Sequence, residues 1–146
     1  MISFDSAEVW DKFGHIYSND DNRIHIDLRG CEVEEDYYKA FINKLNAPYS
    51  TIEGFGNNLD ALADVVSDYY NENWLTWKEV YVTGWKSFIN KHPVFSQEFL
   101  ATLNSTYLTS IEGTLKLIEW GDISFEDAHL LDALTDLKPR MFLVLN

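Results

Sequence analysis

GFGNNLDALADVVSDYY, residues 54–70, carries Asp60, Asp64 and Asp68 at four-residue spacing behind a loop with two glycines. Drawn at about 100° per residue, Leu59, Leu62, Ala63, Val66 and Tyr70 fall on one side, with Tyr69 at its border. Asn57, Asp60, Asp64, Ser67 and Asp68 fall almost opposite. That separation predicts an amphipathic helix with one buried face. Asn57, or Asn58 one residue later, is placed to cap it. Gly54 and Gly56 let the loop before it turn sharply.

The acidic row is not explained by helix formation. Carboxylates four residues apart repel, by roughly 0.2–0.5 kcal/mol per pair on an exposed helix. Asp60, in the first turn, gains from the helix dipole, whereas Asp68 approaches the end where a negative charge is unfavourable. Asp64 gains from neither, and aspartate is a poor residue for a helix interior. A plain solvated face is one reading. A catalytic carboxylate pair is another, but such pairs face each other across a cleft with separated pKa values. These acids share one helix face, and no phosphate loop, nucleophile elbow or metal-ligand spacing stands elsewhere to complete a site. A row of anions offered to a basic partner accounts for more of the pattern.

Working outward, DSAEVWDKFG (5–14) predicts a short helix capped by Asp5, with Glu8 in capping-box position and Gly14 at its end. SNDDN (18–22) reads as a turn. RIHIDLRG (23–30) alternates Ile24, Ile26 and Leu28 against Arg23, His25 and Asp27, the period of a strand. A helix is predicted over 33–45, with Tyr38, Phe41, Ile42 and Leu45 inward and Pro48 beyond. TWKEVYVTGW (76–85) offers a strand around Val80 and Val82. Phe99, Leu100, Leu103 and Tyr107 keep helical spacing over 96–110, and IEGTLKLIEWG (111–121) is ambiguous between helix and strand. Ser124 and Asp127 open a further helix with Leu130, Leu131, Leu134 and Leu137 inward and Pro139 at its end. MFLVLN (141–146) is a nearly continuous apolar strand, of the kind covered on both faces. The order predicts an α/β layer fold with a small, mainly parallel sheet, in one domain over 1–146.

Composition sets the outer limits. With 46% hydrophobic and 15% aromatic residues over 146 positions, the chain is long and apolar enough to bury a core. No apolar run approaches the ~20 residues of a membrane span, and the N-terminus lacks the pattern of a signal peptide. The single cysteine, Cys31, cannot form an internal disulfide and fits a reducing, cytoplasmic setting; it reads as a small buried or turn residue. His15, His25, His92 and His129 are scattered, and neither a metal nor a cofactor is expected. Against 24 acids stand 11 Lys and Arg, a net charge of −13. Nucleic acid and anionic membranes would be repelled, and a basic partner attracted.

Phe55, Gly56, Asn58, Leu59, Asp60, Ala61, Leu62 and Asp64 resemble the aromatic–Gly–x–Asn–Leu–Asp–Ala–Leu signature, and the aspartate four residues after its first, of the barstar family of ribonuclease inhibitors. RIHIDLRG with the helix to Leu45 is similar to the family's first strand and helix, VYVTGWKSF with Trp85 to its second strand, and the last helix and MFLVLN to its closing elements. The resemblance implies a three-stranded parallel sheet packed against helices. It implies a bacterial, cytoplasmic inhibitor or immunity protein, not an enzyme, blocking a basic ribonuclease toxin in a one-to-one complex. On the matching positions, Asp64 enters the pocket of the RNA phosphate and Asp60 supports the contact. Gly54, Phe55, Gly56 and Asn57 in the loop, and Asp68 further along, complete the implied partner-binding set. The chain departs from the family at Gly54, where a tyrosine is usual, and at Ala63, where a tryptophan is usual; both changes remove aromatic contact area. Trp74 and Trp77, just past the helix, are candidates to replace the missing tyrosine. Residues 1–22 read as an N-terminal extension and about 90–120 as an insertion. The alternative is an acidic interaction domain whose partner is not a nuclease.

Overall fold

The computed structural model describes residues 2–6, 23–45, 56–73, 79–122, 124 and 141–146. Its strands are β1 (Ile2–Ser6), β2 (Arg23–Asp27), β3 (Glu79–Thr83) and β4 (Met141–Leu145); its helices are α1 (Glu34–Leu45), α2 (Leu59–Asn73), α3 (Trp85–Lys91) and α4 (Pro93–Glu119). Among the described residues the strands form one sheet in the order β1-β4-β3-β2, every neighbouring pair parallel. Parallel neighbours require long crossovers. Here α1 and α2 lie between β2 and β3, and α3 and α4 between β3 and β4.

Alternation sets the faces. Ile26, Val80, Val82, Met141 and Leu143 are fully buried, and the sheet face they form belongs to one core with helical side chains. Tyr37, Tyr38, Phe41, Ile42 and Leu45 reach it from α1, Leu62, Val65, Val66 and Tyr69 from α2, and Trp85 and Phe88 from α3. The first half of α4 contributes Phe95, Phe99, Leu103 and Tyr107. Aromatic rings knit these helices together. Tyr37 stacks on Phe88 at 4.0 Å, and Phe99 meets Phe41 at 4.9 Å and Phe88 at 5.5 Å edge-on. Such pairs add about 0.5–1.5 kcal/mol each beyond the area they bury.

The expected three-stranded parallel sheet, β2-β3-β4, is present and carries a fourth strand. Asp5 and Ser6, expected to begin a helix, lie in β1 opposite Val144 and Leu145. The apolar β4 would otherwise be an edge, and Ile2–Ser6 satisfies its outer row of backbone groups. The remainder of the expected first helix, the turn at 18–22, Pro48 and the expected helix from Asp127 to Pro139 lie outside the described residues.

Two further elements differ in extent. The segment 111–119 continues α4 without a break, because extending a formed helix adds one hydrogen bond per residue fixed. It stops at Gly121, whose φ of 79° is left-handed. The Gly121 N–H donates to the Ile118 carbonyl and the Asp122 N–H to that of Leu117, a Schellman closure. Helix α3 follows directly on Gly84, in a segment where the sequence pattern indicates no helix.

Candidate acidic docking helix

Helix α2 is built to hold still at its start. The Asn58 side-chain oxygen accepts from the Ala61 N–H at 2.9 Å, and its carbonyl accepts from the Leu62 N–H at 3.0 Å. Asn58 is therefore the N-cap, the later of the two candidates. A Cβ on Gly56 would collide with the Asn58 side-chain amide, so the absence of a side chain at 56 lets the cap adopt its geometry. Asn57 turns the other way and donates to the Glu35 carboxylate at 3.4 Å. That contact sets the entry to α2 beside the first turn of α1, with Glu34, Glu35 and Asp36. Glu35 also pairs with Lys39 at 2.7 Å. Asp36 accepts from the Glu32 and Val33 N–H groups at 2.9 and 3.1 Å, which caps α1 and lowers the carboxyl's pKa.

The buried arc of α2 is Ala61, Leu62, Val65, Val66 and Tyr69. It is rotated by about 80°, less than one residue's turn, from the arc the wheel predicts. Tyr69 is in the core at 3% exposure rather than at its border, and Ala63 is only half-buried. The cause is packing on two sides, since α2 lies against α4 as well as α1. Asp60 and Asp64 are exposed, Asp68 is half-buried nearer the margin of the arc, Asn57 is exposed and Gly56 half-buried. Among the described residues no hydrogen bond or ion pair engages Asp60 or Asp64. Gly54, Phe55, Trp74 and Trp77 lie outside the described residues.

A second polar constellation sits at the C-terminal ends of β2 and β3. The His25 ring Nε2 lies 2.8 Å from the Thr83 hydroxyl, which donates to the Asp27 carboxylate at 3.1 Å. Asp27 also accepts from the Arg29 guanidinium through two nitrogens at 2.8 Å and from the Arg29 N–H at 3.0 Å. Those donors, the Arg29 side chain foremost, hold the Asp27 carboxyl well below the usual carboxylate range. Burial lowers the His25 pKa and raises that of the Cys31 thiol. Thr83 is fully buried and through it this chain of contacts ties β2 to β3, while Asp27 and Arg29 stay exposed. A buried thiol with a raised pKa is not an activated nucleophile. No group of three or more His, Cys, Asp or Glu among the described residues is placed to hold a metal ion. No helix among them is long and apolar enough to cross a membrane.

Fold and helix together define a small parallel α/β protein that displays a row of carboxylates on one helix. Residues 22–114 match the family model of barstar (barnase inhibitor), more than half of the chain, and the protein belongs to that family. The match takes in β2, α1, α2, β3, α3 and most of α4, and leaves β1 and β4 outside it. No curated protein and no solved structure matches the chain.

The sequence predicted the outward placement of Asp60 and Asp64 but not the nearness of Glu35, which depends on a contact 22 residues along the chain. Only the run of acids opening α1 hinted at it.

Proposed function

We propose that this protein is a ribonuclease inhibitor of immunity type, working in the cytoplasm, that blocks the active site of a basic ribonuclease toxin in a one-to-one complex. The observation that carries the reading is the display of Asp60 and Asp64, exposed and without a partner among the described residues, on a helix whose opposite face is buried. Membership of the barstar family supplies the partner class. Asp64 is the leading contact and Asp60 its support; Gly54, Phe55, Gly56, Asn57 and Asp68 surround them. The acids bear mutual repulsion in the free protein and lose it when cationic active-site groups neutralise them. Residues 1–146 act as one domain, since β1 of the extension joins the sheet and α4, most of which the family match takes in, packs on α2.

The test is a pull-down from the source cell's lysate with wild-type protein and Asp64→Lys as paired baits. A basic protein held only by wild type, with RNA cleavage that wild type silences, is the expected result. A partner held equally by both baits would remove α2 from the contact. A partner without nuclease activity would favour the other reading, an acidic interaction domain, to which the small half-buried Ala63 lends support.

A further inference from the structure

We draw no further inference here: the strongest candidate, the apolar stripe that α4 carries from Ala101 through Leu108 to Leu115, continuous with a cavity of about 390 Å³ beside Ile2 and Phe4, is an unpartnered helix face, and nothing among the described residues shows what covers it.

Discussion

Asp64 sits in the middle of α2 with a like charge four residues away on either side. Asparagine has nearly the same helix propensity as aspartate, so Asp64→Asn isolates the charge. Relieving two repulsions of roughly 0.2–0.5 kcal/mol each should raise stability by a few tenths to about 1 kcal/mol, read from urea denaturation at low salt. The same change should cost about 2–5 kcal/mol of affinity for a basic partner if the contact is buried and paired. A loss of stability instead would mean that Asp64 is engaged in the free protein. His25 and Asp27 give a pH prediction. Burial lowers the His25 pKa below 6.5, so the native state resists a proton that the unfolded chain accepts. Its contribution is full above that value and declines as pH falls through it. Asp27, lowered by Arg29, acts in the same direction at more acid pH: its contribution is present above 3.8 and lost as pH falls below it. Stability should therefore drop between about pH 7 and 5, and His25→Gln should flatten that part of the curve. An unchanged slope in the variant would assign the acid sensitivity elsewhere.

Elements were legible where their pattern was local. The strands β2, β3 and β4 and the helices α1 and α2 each declare themselves by apolar period and by caps such as Asn58. Strand β1 did not, because ISFDS acquires its meaning only against Met141–Leu145, more than a hundred residues away. The exposure of Asp60 and Asp64 was legible from α2 alone, but the rotation that buries Tyr69 was set by α4, a neighbour the wheel does not include. Helix α3 is too short to show a period and depends on its surroundings. Its start is held by Asn146, the residue after β4: the Gly84 N–H donates to the Asn146 side-chain oxygen, and the Ser87 N–H to the Asn146 carbonyl at 3.3 Å. Gly84 itself has a φ of 85°, and a Cβ there would stand 2.8 Å from the Arg29 backbone nitrogen. Neither the dihedral nor the obstacle yields easily, since the obstacle is main chain. Gly84→Ala should cost at least about 1–3 kcal/mol, whereas Asn146→Ala should cost about 1 kcal/mol as a lost cap. Chemical denaturation of both distinguishes them; equal costs would mean that the close approach of the β2 and β3 ends is readily relieved.

At the scale of the whole molecule, a net charge of −13 attracts any basic protein, so attraction alone does not identify α2 as the docking helix. Position does. Exposed Glu112 and Glu119 lie in the last turns of α4, on a different helix from Asp60 and Asp64. The two pairs of acids therefore allow the same charge to be removed from two different elements. If α2 receives the partner, Asp60→Asn with Asp64→Asn should lower the association rate and much of its salt dependence, because those charges sit where the encounter is oriented. Glu112→Gln with Glu119→Gln removes the same net charge and should lower both less, because charges outside the contact act only through the long-range field, which 0.1 M salt screens over about 10 Å. Association kinetics of the captured basic partner, measured across a salt series for both double variants, decide the matter. Equal effects from the two pairs would make the steering a property of total charge and would take α2 out of the encounter.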